Sequence, residues 1–247
     1  MKHSLLRLSV LALLLIIRTA VICAQVMEDE FEVDGIFYFV TDRSRQIVQV
    51  SSDDNHHYYD CDSILIPETV IYKDKEYCVE AIGGYAFKDC KKLKSISLPK
   101  TIKYIYDSFL NCSSLTSFII PDSVIYVNNN AFSGCSNLVD VTILCANVGN
   151  CFSGLRSIRK CTLGENVKSI GSGAFSSCSG LSYINIPEGV TKIGLSAFAG
   201  CSNLVSIDLP STVELGGNCF KGCKSLKSVV IPNTATIIEA ATFWECI

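Results

Sequence analysis

The sequence predicts a repeat solenoid, in which short parallel strands on a concave face alternate with turn or 3₁₀ return segments, behind an N-terminal β-hairpin cap. Three observations predict this fold. Phenylalanine recurs from Phe87 to Phe243 at intervals of 20 to 23 residues. A fixed pattern of apolar residues follows each phenylalanine, and in most copies a proline follows that pattern. A fixed period in this range is typical of proteins that stack one small structural unit per repeat.

The phenylalanines are predicted to form a buried structural core column. Its members are Phe87, Phe109, Phe132, Phe152, Phe175, Phe198 and Phe220, and Phe243 begins an eighth copy. Two apolar residues follow nine and eleven positions after each of the first seven phenylalanines, as Ile184 and Ile186 follow Phe175. Alternation with a period of two predicts a short strand with one buried face. The proline after it ends the strand, because proline has no N–H to donate.

The residues between one strand and the next are predicted to bring the chain back over the core. Their large side chains recur about every three residues, and that spacing suits a tight turn or a short 3₁₀ segment better than a long helix. Each repeat, called a coil below, is therefore one strand and one return segment. A single coil leaves its apolar faces uncovered, so neighbouring coils must stack to bury them.

The run I-G-L-S-A-F-A-G-C-S-N-L at 193–204, followed by Ile207 and Leu209-Pro210, resembles the BspA-like class of leucine-rich repeats. The resemblance covers about residues 64 to 247 in eight copies, some of them incomplete. It implies a leucine-rich-repeat fold and a secreted or surface-displayed binding protein. The family is known from the surface of bacterial anaerobes and some parasitic protists, where it serves adhesion. It supplies no catalytic residues to carry over.

Two copies depart from the pattern. Phe152 follows Ile143 by 9 residues, whereas Phe198 follows Ile186 by 12, so three residues are missing there. The same copy has Leu155 at the cysteine position, and we expect a local kink in the solenoid. The last copy is incomplete at Ile247. We expect either a truncated reading frame or an end covered by a partner chain.

Three domains are predicted. Residues 1–24 form a secretory signal peptide, with Lys2 and Arg7 before the apolar stretch 8–17. Residues 25–63 form the N-terminal β cap, and residues 64–247 form the solenoid of about eight coils. Segments 35–40 and 46–50 predict one hairpin, and 70–72 and 76–79 predict a second.

The signal peptide places the protein outside the cell or at its surface. Cleavage before Gln25 is the favoured interpretation, and a lipid anchor on Cys23 is the alternative, which Ile22 disfavours. The apolar stretch is shorter than the roughly 20 residues of a membrane span. No second stretch of that length occurs, so no transmembrane segment is predicted.

A cysteine follows most of the column phenylalanines by three positions. The predicted structural cysteine column is Cys90, Cys112, Cys135, Cys178, Cys201 and Cys223. Its members share apolar neighbours, which favours a ladder of buried thiols. Disulfides between adjacent coils are the alternative in an exported protein. Outside the column, the better candidates for an occasional bridge are Cys61, Cys78, Cys145, Cys151 and Cys219.

The remaining patterns argue against several functional classes. The chain has no C-x-x-C pair, and its only adjacent histidines, His56 and His57, would point to opposite faces of a strand, so no metal site is predicted. No histidine follows His57 to serve a nucleophile as base, so no catalytic residue and no cofactor are predicted. The net charge of −3, without a long basic run, gives no support for nucleic-acid binding.

The outward residues of the strands form the candidate binding face. They fall into two columns: Ser95, Ser117, Asp140, Lys160, Tyr183, Ser206, Ser228, and Ser97, Ile119, Thr142, Thr162, Asn185, Asp208, Val230. Solenoids commonly bind partners on such a surface. The residues singled out for binding are Asp140, Lys160, Thr162, Tyr183, Asn185 and Asp208.

Three hypotheses of function follow. The first is a non-catalytic module that binds an extracellular protein or glycan on its concave face. The second is a structural protein that self-associates through its C-terminal coil. The third is a hydrolase, which would need a pocket that contains two close carboxylates.

Overall fold

The computed structural model describes residues 29–52, 60–231, 238–239 and 241–246. The predicted signal peptide with Cys23, and the His56-His57 pair, lie outside these described residues. The described chain contains strands and turns but no α-helix. Within these ranges no helix has the length and hydropathy needed to cross a membrane.

Nineteen strands occur in the described residues. They are β1 (Glu30–Val33), β2 (Ile36–Asp42), β3 (Ile47–Val50), β4 (Ser63–Leu65), β5 (Thr69–Tyr72), β6 (Lys75–Ile82), β7 (Ser95–Ser97), β8 (Tyr104–Ile105), β9 (Ser117–Ile120), β10 (Tyr126–Val127), β11 (Asp140–Ile143), β12 (Asn147–Val148), β13 (Lys160–Leu163), β14 (Ser169–Ile170), β15 (Tyr183–Asn185), β16 (Lys192–Ile193), β17 (Ser206–Asp208), β18 (Glu214–Leu215) and β19 (Ser228–Val229). The parallel solenoid predicted from the repeat is confirmed.

One strand of each coil contributes to the concave sheet. Strands β9, β11, β13, β15, β17 and β19 pair in this order, all parallel, and β4 pairs in parallel with β7. The register keeps equivalent positions side by side, so Asp140, Lys160, Tyr183 and Ser206 form one continuous row. Residues alternate between buried and outward along each strand, as the period of two predicts.

The opposite side of each coil, called the return side below, contains a second set of parallel strands that the sequence did not predict. Strands β8 and β10 extend the sheet of β6, while β12, β14, β16 and β18 form a sheet of their own. Each of these return strands from β8 onward has only two residues. An element that short has no alternation to detect, because a period of two needs about four residues to be visible.

The N-terminal strands join the return side. Both predicted hairpins are confirmed, as β2 pairs with β3 and β5 with β6, antiparallel in each case. Strand β1 adds to β2, and β3 pairs in parallel with β6. The hairpin therefore covers the first coil by continuing its sheet rather than by packing against it as a separate body.

The predicted phenylalanine column is the centre of the core. Consecutive rings from Phe87 to Phe243 lie 5.3 to 5.8 Å apart between centroids, with interplanar angles of 3 to 12°. The seven rings from Phe87 to Phe220 are fully buried. Aromatic rings at this separation attract each other beyond the area that they bury. The column therefore sets a common spacing for all coils.

The residue two positions after each phenylalanine of the column has a backbone conformation in the left-handed region. These residues are Asp89, Asn111, Gly134, Gly154, Ser177, Gly200, Gly222 and Glu245, with φ between 60 and 79°. The turn bends the chain so that the next residue, usually the column cysteine, faces the core. Glycine adopts this φ without strain at Gly134, and a Cβ there would lie 2.2 Å from Asn111 Oδ1, so that the Asn111 side chain would have to move.

We expect Phe175→Ala to lower the free energy of unfolding by about 3–5 kcal/mol, because it removes a buried ring and leaves a cavity between two stacked neighbours. Urea denaturation measures the change. Leu195→Ala is the control, since Leu195 is 54 % exposed and should lose no more than about 0.5 kcal/mol. Equal losses in the two variants would mean that the column does not stabilise the fold.

Candidate functional site

The six predicted binding residues lie together on the concave face. Asp140 is on β11, Lys160 and Thr162 on β13, Tyr183 and Asn185 on β15, and Asp208 on β17. These four strands are consecutive in the sheet, and the side chains occupy two adjacent rows of its outer surface. The sequence therefore identified residues that the fold brings together.

An ion pair forms one end of this polar cluster. Lys160 Nζ lies 3.1 Å from Asp140 Oδ2, across the pair of neighbouring strands. Both groups are accessible to water, so the pair contributes little to stability. Its two charges remain available to a ligand that offers complementary charges or hydrogen-bonding groups.

A tyrosine forms the other end. The Tyr183 hydroxyl donates to Asp208 Oδ2 at 3.3 Å, and the tyrosine remains 48 % exposed. The hydrogen bond connects Tyr183 on β15 to Asp208 on β17, which lies in the adjacent row of the face, and it restrains the tyrosine ring. Tyr183 thus presents an apolar ring face next to a carboxylate, an amide at Asn185 and a hydroxyl at Thr162. Such amphipathic rings are enriched at protein interfaces.

Apolar residues flank the polar cluster on the same face. Ile119 on β9 lies to one side, and Leu65 on β4 lies further toward the N-terminal strands. Val230, directly after β19, lies to the other side, and all three side chains are exposed. A polar centre with separate apolar contacts at its margins suits an extended ligand that crosses several strands better than a small molecule, which needs a pocket.

The column cysteines occupy a different place and perform a structural task. From the second coil onward, each thiol donates to the main-chain oxygen of the phenylalanine in the preceding coil. The bonds and their S···O distances are Cys112 to Phe87, 3.0 Å; Cys135 to Phe109, 3.2 Å; Cys178 to Phe152, 3.1 Å; Cys201 to Phe175, 3.1 Å; Cys223 to Phe198, 3.2 Å; and Cys246 to Phe220, 3.0 Å. Sequence reasoning predicted the burial of the column thiols but not the bonds, and it did not include Cys246, which is partly buried, in the column.

Each of these phenylalanine oxygens accepts two hydrogen bonds. Phe175 O, for example, accepts the amide of Cys178 in its own coil at 3.1 Å and the Cys201 thiol of the next coil. A buried carbonyl oxygen has two lone pairs, and both are then satisfied. The thiols therefore complete the hydrogen bonding of a buried backbone and connect neighbouring coils.

The cysteines of the described residues are thiols and not disulfides. This agrees with the favoured interpretation of the column. It contradicts the alternative of bridges between coils, and also the bridges suggested for Cys78, Cys145, Cys151 and Cys219. Burial raises the pKa of the Cys135, Cys178 and Cys223 thiols to about 12. Thiols that stay protonated at neutral pH are poor nucleophiles and poor metal ligands.

No cluster of His, Cys, Asp or Glu side chains within the described ranges has the arrangement of a metal site. A cavity of about 490 Å³ lies on the return side beside β16 and β18. Glu214 and Glu239 both line it, together with Lys192. The hydrolase hypothesis required a pocket that contains two close carboxylates, and this cavity, away from the concave face, has two carboxylate residues in its lining.

Sequence reasoning missed a tyrosine patch on the return side. The rings of Tyr104 and Tyr106 lie 6.3 Å apart, and those of Tyr106 and Tyr126 lie 6.0 Å apart. Tyr126 is 46 % exposed, much like Tyr183. Its signal was the concentration of tyrosines at 85, 104, 106 and 126. These tyrosines did not lead to a predicted surface patch, because no return strand was predicted there to bring them together.

Comparison with known proteins identifies the repeat. A family model described as a BspA type leucine rich repeat region matches in six copies, over residues 54–150 and 148–247. The chain belongs to this BspA-type leucine-rich-repeat family. The model covers most of the chain, and its matches include the segment of β4 to β6 in addition to the regular coils. The resemblance noted in the sequence is thereby confirmed.

Solved structures show the same fold. A leucine-rich repeat protein of T. pallidum is 27 % identical, with a TM-score of 0.65, over 80 % of this chain and 91 % of that chain. A leucine-rich repeat protein of Eubacterium ventriosum is 18 % identical, with a TM-score of 0.68, over 83 % of this chain and 52 % of that chain. The similarity to the Eubacterium ventriosum protein, at 18 % identity, shows a common fold only. A search of curated proteins found no match.

The thiol ladder predicts a loss of stability in alkali. Unfolded thiols ionise near pH 8.5, whereas burial holds the pKa of Cys178 in the folded protein at about 12. The folded state therefore binds the proton more tightly, and the free energy of unfolding is constant below about pH 8.5 and falls as pH rises toward about 12. At pH 10 one such thiol lowers the free energy of unfolding by about 2 kcal/mol relative to neutral pH.

Urea denaturation of wild type and Cys178→Ala at pH 7 and pH 10 checks this expectation. The stability difference between the two proteins should shrink by about 2 kcal/mol at pH 10, because the variant has one fewer thiol to deprotonate on unfolding. Other groups that ionise in alkali are common to both proteins and cancel. A difference that stays the same at the two pH values would show that the buried thiol has an ordinary pKa.

Proposed function

We propose that this BspA-type leucine-rich-repeat protein is a non-catalytic binding or adhesion module that is secreted or displayed at the cell surface. Its partner is an extracellular protein or glycan, and it binds on the concave face at Asp140, Lys160, Thr162, Tyr183, Asn185 and Asp208. In this proposal residues 1–24 are the export signal, residues 25–63 the β cap, and residues 64–247 the solenoid.

One observation carries the proposal. On the concave face, residues that differ from coil to coil lie side by side, whereas the buried positions repeat the same few residue types. Tyr183 and Asp208 make a hydrogen bond with each other there, and Asp140 and Lys160 an ion pair. The surrounding positions are small hydroxyl residues that leave room for a ligand. A surface of this kind presents specific groups on a regular array of paired strands.

A non-catalytic role agrees with the placement of the reactive groups. All three histidines of the chain precede the solenoid, at positions 3, 56 and 57. The column thiols are buried and protonated. Glu214 and Glu239 line the return-side cavity, away from the concave face. The concave face is nevertheless favoured, because its polar residues are adjacent and fixed by contacts with one another.

Self-association is a second candidate function, and one observation favours it. An apolar cavity of about 260 Å³ lies at the C-terminal coils, lined by residues that include Leu226, Val229, Ile231 and Phe243. Apolar side chains of a second copy would bury this surface. Sedimentation velocity separates the two functions, since a monomer over a wide range of concentrations removes this candidate without affecting the concave face.

We expect Tyr183→Ala to weaken partner binding by at least tenfold, because exposed interface tyrosines often contribute more than about 1.4 kcal/mol. A glycan array and immobilised intact cells are the probes, the cells tested before and after protease treatment to separate protein from glycan ligands. Tyr126→Ala is the matched control, since Tyr126 is 46 % exposed against 48 % for Tyr183 but lies on the return side.

Asp208→Ala should weaken binding in the same direction, because it removes both the carboxylate and the hydrogen bond that restrains Tyr183. Circular dichroism should show all three variants folded. Binding that survives both concave substitutions but is lost in Tyr126→Ala would move the partner to the tyrosine patch. That result would refute the concave face as the site.

A further inference from the structure

At one junction, that is, one contact between neighbouring coils, the return side lacks hydrogen bonds that the other junctions have. At regular junctions the amide that follows the return strand donates to the coil before it, as Gly171 N does to Val148 O and Gly194 N to Ile170 O, both at 2.8 Å. In the described residues no such bond joins Gly149 to Val127. The gap is also wider, because a Cβ added at Gly149 would lie 3.7 Å from Val127 O, against 2.8 Å from Gly171 to Val148 O.

Further return-side bonds are missing at the same junction, between the coil of Phe132 and that of Phe152. At regular junctions the phenylalanine amide also donates forward, as Phe109 N does to Ala131 O at 3.0 Å and Phe175 N to Ala197 O at 2.8 Å. No equivalent bond from Phe132 or from Gly134 reaches the next coil in the described structure. Strands β10 and β12 are not paired, although return strands on either side of them are.

The thiol bond is missing there as well. Leu155 stands where a column cysteine would donate to Phe132 O, which accepts only the Cys135 amide of its own coil among the described residues, at 3.0 Å. The following junction also lacks the phenylalanine bond. It keeps Gly154 N to Ser176 O at 2.7 Å and the Cys178 thiol bond to Phe152 O at 3.1 Å. The loss of every return-side bond type is therefore confined to one junction.

The concave side of this junction is intact. Strands β11 and β13 pair over four positions from Asp140↔Lys160 to Ile143↔Leu163. Arg159 N donates to Val139 O at 2.9 Å, and Ser157 Oγ to Leu138 O at 2.8 Å. The rings of Phe132 and Phe152 remain stacked at 5.3 Å. Ring stacking is less directional than a hydrogen bond and tolerates small rotations.

The sequence accounts for the difference. The three missing residues between Ile143 and Phe152 shorten the path of this coil over the core. A shortened path cannot follow the neighbouring coil closely enough for the main-chain groups of the return side to pair. The concave strand β11 ends at Ile143, before the missing residues, and β13 begins at Lys160, after Phe152, so both strands lie outside the shortened segment and keep the regular register.

We propose that this junction is a hinge, at which the return side opens and closes while the paired strands β11 and β13 act as the hinge line. Segments with few hydrogen bonds to their neighbours open locally at a lower free energy than the rest of a fold. The two halves of the solenoid then tilt relative to each other without separating. Curvature of the concave face changes at this one place.

The hinge lies directly beneath the polar cluster. Asp140 belongs to the coil before the junction, and Lys160 and Thr162 belong to the coil after it. A change of tilt alters how this part of the face presents its ion pair relative to Tyr183 and Asp208. This consequence for binding rests on the proposed function, whereas the hinge itself does not.

Hydrogen exchange of the wild-type protein, resolved to single amides by NMR, tests the hinge without a ligand. The amides of Cys135 and Leu155, which flank the junction, bond within their own coils at 3.0 and 3.2 Å. The amides of Cys178 and Cys201 make the same bonds within their own coils at 3.1 Å, and they are the matched controls because they flank a regular junction. All four residues are buried. We expect at least tenfold lower protection for Cys135 and Leu155.

The hinge line supplies the second measurement. The Arg159 amide donates across the junction to Val139 O at 2.9 Å, and the Val139 amide makes the matching bond to Thr116 O at 2.9 Å one coil earlier. A hinge leaves these two amides equally protected. Equal protection of Leu155 and Cys178 would show a junction as tight as the others and would overturn the proposal. Loss of Arg159 protection together with that of Leu155 would show complete separation of the halves, which also contradicts a hinge.

Discussion

The structure depends on the contact between one phenylalanine and the next. The ring buries the centre of each coil, and its main-chain oxygen accepts the thiol of the following coil, so that a single residue provides both apolar stacking and a directional bond. The rings are 5.3 to 5.8 Å apart, whereas paired strands lie about 4.8 Å apart. The rings and the strands therefore repeat together once per coil, and the outward side chains of the sheet lie in rows one coil apart.

The thiol bonds explain how a cysteine-rich repeat can exist in a protein that we propose is exported. Oxidation of cysteine proceeds through the thiolate, so a thiol that remains protonated and excluded from solvent reacts slowly. Burial raises the pKa of Cys178 and Cys223 well above the usual range, and each thiol is also engaged with a backbone oxygen. A small apolar side chain with one weak donor is what this position requires. An alanine at this position would also be small and apolar, but it has no side-chain hydrogen-bond donor.

The sequence predicted the features that repeat in every coil. Phe175, Ile184 and Ile186 were assigned correctly because a buried position leaves the same apolar residue in each copy. The return strands were missed, since a pair such as Lys192–Ile193 is held by bonds to neighbouring coils and not by a local pattern. The thiol bonds were missed for a related reason. They depend on the left-handed turn at residues such as Ser177, a conformation that composition alone does not reveal.

Function and regularity place opposite demands on such a chain. A stacked core admits little variation in its buried side chains. Coils can therefore differ from one another only in the side chains that face water or in their length. Here the two coincide, because the shortened coil of Phe152 carries Lys160 and Thr162 on its strand. The shortened return segment leaves the register of the concave strands unchanged, since the missing residues lie between the end of β11 at Ile143 and Phe152, outside both β11 and β13. The chain can therefore change its flexibility beneath the polar cluster without moving any of the cluster's residues out of their rows.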